Sequence, residues 1–263
     1  MAFIQCDFYS KILGTRTSLN AVIPSRDESG QETPRETPQQ YPVLFLLHGL
    51  HSNYSAWSRY SSVERYAYEK GLALVMPDAG RSFYTNMRYG YRYFDFFSQE
   101  LPKVANRLFP LSRDRSQRFI AGVSMGGYGA FKLALSNPEQ YAAAASISGA
   151  LSLTQIEDPD PLLPEWPIIF GDNSKIANSE DDLLHLAKRY YHQKQFPLSL
   201  FQCCGTKDFL YQSNQHFLKN VNELGLDLYY EESSSGHEWQ YWDDQIKKVI
   251  EWLPIDSSES KKV

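Results

Sequence analysis

Gly122, Val123, Ser124, Met125 and Gly126 form a GxSxG segment, with a serine at its centre and a glycine two residues to either side. A serine hydroxyl is scarcely nucleophilic at neutral pH until a neighbouring base takes its proton and a third group orients that base. A sharp turn between a strand and a helix exposes such a hydroxyl, and glycines flank it because side chains there would collide. The neighbouring residues read in that order. Arg118 to Ala121 ends an apolar run, Gly122 to Gly127 is turn-forming, and from Tyr128 onward apolar residues recur at helical spacing. The plain alternative is a small residue in a glycine-rich bend, so the partners decide.

A base should follow the serine in the chain, with an acid between them, if the serine tops a parallel sheet of this type. Of six histidines, His185, His192, His216 and His237 follow Ser124. His185 and His216 fall within predicted helices and His192 just beyond one, positions suited to packing or solvation. His237 lies in "SSSGHEW", a small-residue loop between the last predicted strand and helix, from which an imidazole can turn back over the sheet edge. Among the acids, Asp158, Asp160, Asp172, Asp181 and Asp182 sit in an irregular stretch, and Asp243 and Asp244 on the final helix. Asp208 comes directly after "LSLFQCCGTK", past the C-terminal end of a predicted strand, where open parallel sheets carry their functional groups. Its alternative is a loop cap. As an orienting group it would hold the imidazole tautomer and stabilise the imidazolium without taking the proton.

Acyl chemistry at such a serine also needs two backbone N–H donors for the developing oxyanion. One is expected from Met125, the residue after the serine. The other is expected from "HGLHSNYSAW", with Leu50 first and Gly49 second, while His48 and His51 shape that loop.

These residues require a scaffold that brings distant loops to one edge. Phe3 to Ser10 and Arg16 to Pro24 read as an antiparallel hairpin. "YPVLFLLHG", "GLALVMPD", "RFIAGVS", "YAAAASISGA", "FPLSLFQCCGTKD" and "LDLYYEE" then read as strands. Helices are expected at Tyr60 to Glu69, Phe97 to Leu108, Tyr128 to Ser136, Gln212 to Leu224 and Glu238 to Leu253. The last carries Trp239, Trp242, Ile246, Val249, Ile250 and Leu253 on one stripe. Such alternation implies an α/β fold, a mostly parallel sheet with helices on both faces. One domain spanning 1–254 is expected, with a polar surface loop at 25–40, a cap-like insertion at 151–195 after the sixth strand, and a disordered tail at 255–263. Within the insertion a helix is expected from Ser179 as N-cap to Tyr191, with Asp182 three residues on. "RSFYTNMRYGYRYFDFF" follows the strand that ends at Asp78, and its aromatic rings are candidates for a pocket wall.

The 263 residues carry a net charge of −5 and no basic run, which argues against nucleic acid or an anionic membrane surface as partner. The N-terminal stretch has no signal-peptide pattern and nothing reaches the length of a membrane span, so a cytoplasmic protein is expected. Three cysteines, Cys6 and the adjacent Cys203 and Cys204, form neither a disulfide framework nor a metal motif.

Together "LLHGLHSNYSAW", "AGVSMGGYGAFKLAL", "CGTKDFLYQSNQ" and "SSGHEWQYW" resemble the esterase D family of α/β hydrolases, and within it the small bacterial tributyrin-esterase branch. The resemblance spans nearly the whole chain. It implies the α/β-hydrolase fold, a triad of Ser124, Asp208 and His237, and oxyanion donors at Leu50 and Met125. It further implies hydrolysis of short-chain acyl esters, acetyl to butyryl, with no cofactor, no metal, and frequent homo-oligomers. The loop at Ser25 to Gln40 looks extended relative to the family. A thioesterase of the S-formylglutathione hydrolase type is the second enzymatic reading, and a non-catalytic binding protein on the same fold is the third.

Overall fold

The computed structural model describes residues 1–24, 40–155, 163–193 and 195–255. Of the expected surface loop at 25–40 residues 25–39, and of the expected tail at 255–263 residues 256–263, lie outside the described residues, as do Asp158 and Asp160.

Among the described residues eight strands form one sheet. In chain order they are β1 (Ala2–Ser10), β2 (Thr15–Ile23), β3 (Val43–Leu47), β4 (Ala73–Pro77), β5 (Arg118–Val123), β6 (Ala143–Ile147), β7 (Ser199–Gly205) and β8 (Leu228–Ser233). Their spatial order is β1-β2-β4-β3-β5-β6-β7-β8. The β1–β2 hairpin and the β2–β4 pair are antiparallel, and every other pair is parallel. This is the α/β-hydrolase fold. Every residue of β3, β4, β5 and β6 is buried, because helices cover both faces and an apolar residue is favoured at each position.

Alternate residues feed two cores. Val43, Phe45, Leu47, Val75 and Ile120 point to one face, and Leu44, Leu46, Leu74, Phe119 and Ala121 to the other. Covering the second face are α1 (Ala56–Tyr60), α2 (Val63–Glu69) and the last helix, α9 (Trp239–Trp252), through Trp57, Val63, Trp242, Ile246 and Val249. The helix expected at Tyr60 to Glu69 starts at Val63, and Tyr60 instead closes the separate α1. Extended Ser61 ends α1, and the Ser62 amide donates to Asp243 Oδ1 at 2.7 Å, a bond that ties the break to α9.

On the first face, a helical run begins at Tyr93, four residues earlier than expected. It comprises α3 (Tyr93–Asp95), a π turn (Phe96–Glu100) and α4 (Leu101–Leu108). The widened turn precedes Pro102, which has no N–H to give and whose ring needs space. Behind the sheet edge come α5 (Met125–Ser136), α6 (Trp166–Ile169), α7 (Leu183–Gln193) and α8 (Tyr211–Leu224). The expected cap at Ser179 is corrected. α7 starts at Leu183, and Asp182 accepts from the Leu184 and Asn178 amides at 3.0 and 2.9 Å. Ser179 instead closes the preceding turn, its hydroxyl donating to Ile176 O and accepting from the Asp181 amide. His192 lies inside α7, not beyond it.

Candidate active site

Ser124 stands between β5 and α5 with φ +56° and ψ −120°, in the left-handed half of backbone space that non-glycine residues rarely occupy. The glycines explain how the chain tolerates it. A Cβ on Gly122 would lie 2.2 Å from Gly126 O, and one on Gly126 would lie 2.5 Å from Leu47 O. β5 and the first turn of α5 therefore approach one another, and α5 approaches β3, more closely than any side chain permits. The Ser124 amide donates to Ile147 O at 3.0 Å, which locks the turn onto β6. Strained backbone held by its surroundings is typical of functional turns.

The Ser124 hydroxyl donates to His237 Nε2 at 3.1 Å. His237 Nδ1 in turn donates to Asp208 Oδ2 at 2.8 Å. Asp208 is fixed independently, since its Oδ1 accepts the Leu210 amide at 2.8 Å. Burial pushes its carboxyl up, but the hydrogen bonds from His237, Leu210 and Ser148 outweigh burial and hold it below the usual carboxylate range. The loops carrying these two residues meet at Gly205, where a Cβ would lie 2.1 Å from Ser235 O, and the Thr206 and Lys207 amides donate to Ser233 O and Ser235 O. That close approach, more than turn flexibility, is why position 205 is glycine.

Leu50 and Met125 both line the cleft beside Ser124. Met125 opens α5, so its N–H belongs to the first turn and has no helical carbonyl to bond. The Leu50 loop is held by His48. The Ala79 amide donates to His48 Nε2 at 3.0 Å, so the ring proton sits on Nδ1 and is given to Gly49 O at 2.8 Å.

The cleft over Ser124 measures about 1160 Å³. Of the "RSFYTNMRYGYRYFDFF" segment only Phe83 lines it, which corrects the expectation of an aromatic wall there. Tyr84, Phe96 and Phe97 are core residues, and Tyr89 and Tyr91 are exposed. Tyr84 is buried because its ring packs over Gly129, and its hydroxyl donates to His48 O at 2.9 Å. The walls come from elsewhere. Tyr60, Phe209, Trp239 and Trp242 line the cleft, together with Leu163 and Trp166. Phe209 lies tilted against the His237 ring and Trp242 edge-on to it, at 4.6 and 4.8 Å between centroids. Sequence patterns missed these positions, although Phe209 follows Asp208 directly and Trp239 and Trp242 follow His237 closely, a local aromatic signal at both loops.

Sequence patterns also missed Lys132, 2% exposed on α5, whose ammonium pairs with Asp181 and donates to Thr85 Oγ1 at 2.6 Å. Asp181 thereby ties the segment after β6 to α5, the helix that follows Ser124. Among the other acids first weighed, Asp172 caps a short 3-10 turn and Asp243 serves α2. Cys203 and Cys204 are buried, and burial pushes the Cys203 thiol up to about 12. Among the described residues no group of three or more His, Cys, Asp or Glu side chains is arranged to hold a metal ion. No helix among them is long and apolar enough to cross a membrane.

Comparisons with known proteins identify the family. A family model described as "Putative esterase" matches residues 11–253. The chain is 28% identical over 265 residues to an acetyl esterase of Caldicellulosiruptor saccharolyticus, covering 96% of this chain and 98% of the relative. Among solved structures it is similar to the fluorophosphonate-binding serine hydrolase F of Staphylococcus aureus, with 34% identity, a TM-score of 0.88, and coverage of 97% of this chain and 99% of that one. It is also similar to the S-formylglutathione hydrolase of Staphylococcus aureus, with 33% identity, a TM-score of 0.85, and coverage of 96% and 98%.

Proposed function

We propose that this chain, which belongs to this esterase family and is a carboxylic ester hydrolase, cleaves esters of short acyl groups, acetyl to butyryl, through an acyl-enzyme on Ser124. The observation that carries the reading is the hydrogen-bonded series Ser124–His237–Asp208 at the floor of the cleft. In this reading His237 Nε2 takes the Ser124 proton as Oγ attacks the ester carbonyl, and Asp208 steadies the resulting imidazolium. The amides of Leu50 and Met125 receive the oxyanion, each contributing on the order of 3 kcal/mol to the barrier reduction. His237 then protonates the departing alcohol, and water repeats the sequence to free the acid.

Because the leaving group departs toward His237, the alcohol faces Phe209, Tyr60 and Trp239, and the acyl chain faces Leu163, Phe83 and Trp166. The last three are buried, and the Phe83 ring meets the Trp166 ring edge-on with 5.8 Å between their centroids. In this reading that wall limits the acyl chain to about butyryl length. The tributyrin-esterase branch of the esterase D family fits this preference.

A thioesterase of the S-formylglutathione type is the second reading, favoured by the similarity to the Staphylococcus aureus hydrolase. Glutathione carries two carboxylates, yet among the described residues lining the cleft there is no lysine or arginine, and Glu238 adds a negative charge. An uncharged alcohol suits that lining better. We further read residues 1–254 as one domain, with 151–195 as its cap, in a cytoplasmic protein that self-associates. A panel of p-nitrophenyl acetate, butyrate, hexanoate and octanoate with S-formylglutathione tests the substrate reading. Rates should peak by butyrate. Rates that rise to octanoate, or a thioester preferred over every ester, would overturn it.

A further inference from the structure

Two polar side chains that the reaction does not use are fully buried behind the triad, Gln202 on β7 and Asn214 on α8. The Asn214 amide spends both of its side-chain hydrogens. Its Nδ2 donates to Leu210 O at 2.9 Å and to Gly149 O at 2.8 Å, and its Oδ1 accepts from Gln202 Nε2 at 3.1 Å. Carbonyl oxygens only accept, so the nitrogen must face them. Both carbonyls belong to segments that hold reacting residues. Leu210 gives its own N–H to Asp208 Oδ1 at 2.8 Å. Gly149 lies in the turn after β6, and the next residue, Ala150, donates its amide to Ser124 O at 3.3 Å.

We propose that Asn214 is a positioning residue for the reaction, a clamp whose one amide joins the loop carrying Asp208 to the turn that backs Ser124 and so fixes the gap His237 spans. Stability alone does not account for the pair. Gln202 Oε1 has no hydrogen-bond partner among the described residues, and a buried amide with an unmet acceptor costs more than apolar side chains of similar size would. What the amides add is direction, because each bond fixes an angle as well as a distance. A second link crosses the same junction. The Ser152 amide donates to Ser213 Oγ at 2.9 Å and the Ser152 hydroxyl donates to Ser213 O at 3.1 Å, yet neither bond touches Leu210 or Gly149. That link makes an internal control, equally buried and without a hold on the acid or the nucleophile.

This inference rests on the reading of Ser124, His237 and Asp208 as the triad. Asn214→Leu keeps most of the side-chain volume and removes both donors, and Asn214→Ala removes them without adding any contact, so it carries the test if the leucine variant folds poorly. With p-nitrophenyl butyrate, each should lose about tenfold in kcat with KM within about twofold. Ser152→Ala should lower Tm yet keep kcat within about twofold of the parent enzyme. The downfield proton resonance of His237 Nδ1–H should shift or broaden in the Asn214 variants and stay in place in Ser152→Ala. An unchanged kcat in a folded Asn214 variant, an unmoved resonance, or an equal loss in Ser152→Ala would make Asn214 a packing residue and overturn the inference. Ser124→Ala, measured alongside, separates the two claims. If it is inactive while the Asn214 variants match the parent enzyme, only the clamp fails, and if it stays active, the triad reading fails first.

Discussion

Ser124 and Trp166 face the same cleft, yet they are held there by different means. Backbone fixes Ser124. Two strands and a helix converge on its turn so closely that Gly122 and Gly126 admit no Cβ, and its own φ is positive. Side chains from an irregular segment fix Trp166, through Phe83, Phe170 and the indole hydrogen bond to Asn173. That segment is fastened to α5 by the Lys132–Asp181 pair. The contrast separates chemistry from selectivity. Geometry accurate enough for proton transfer is built from elements that cannot shift, and the wall that measures the substrate is built from parts that can be exchanged.

Four variants or conditions break or sharpen that contrast. The largest effect is expected from Ser124→Ala, with kcat for p-nitrophenyl butyrate falling by about 10⁴-fold or more while Tm stays level or rises as the strained turn loses a polar side chain. Gly122→Ala comes next. It should destabilise the fold by about 3 kcal/mol, read by urea unfolding, because its Cβ meets backbone and not a movable side chain. A stability unchanged by this variant would mean that the turn is not rigid. Trp166→Leu, by contrast, should leave acetyl-ester turnover within about threefold and raise the hexanoyl-to-butyryl ratio of kcat/KM by about tenfold, since each methylene accommodated in an apolar pocket is worth that order.

The smallest effect concerns pH. Asp208 is held below the ordinary carboxylate value, because the hydrogen bonds it accepts from His237 and the Leu210 amide outweigh its burial. A carboxyl lowered in the folded state adds stability above its unfolded pKa of about 3.9, and loses it as pH falls through the folded value. Thermal stability should therefore decline below about pH 4, and the decline should be shallower in Asp208→Asn. An equal slope in both proteins would remove Asp208 from the acid-sensitive groups.

The same contrast explains what the sequence made legible. Ser124, Asp208 and His237 could be named as neighbours because each stands just past a strand end in a parallel sheet, and strands of near-continuous apolar residues are easy to read. Gly122 and Gly126 carried the turn in their spacing. Illegible features depended on long-range partners. Lys132 reads as a solvated helix residue until Asp181, 49 positions away, is folded against it. Trp166 and Leu163 reach the cleft only through the path of an irregular segment, whose local pattern led to Ser179 as a cap where Asp182 does that work. Phe83 alone came from the aromatic stretch expected to form the wall, because the other rings were needed for the core under α5 or stayed in solvent.

The central claim is that Ser124 carries the acyl group during turnover. Rapid mixing with p-nitrophenyl butyrate, acid quench and peptide mass mapping test it most directly. The account predicts a burst of about one equivalent of p-nitrophenol per chain and one butyryl group on the peptide containing Ser124, both absent in Ser124→Ala. Steady turnover with no butyryl adduct in His237→Ala or the parent enzyme, or an adduct on another residue that survives Ser124→Ala, would contradict it.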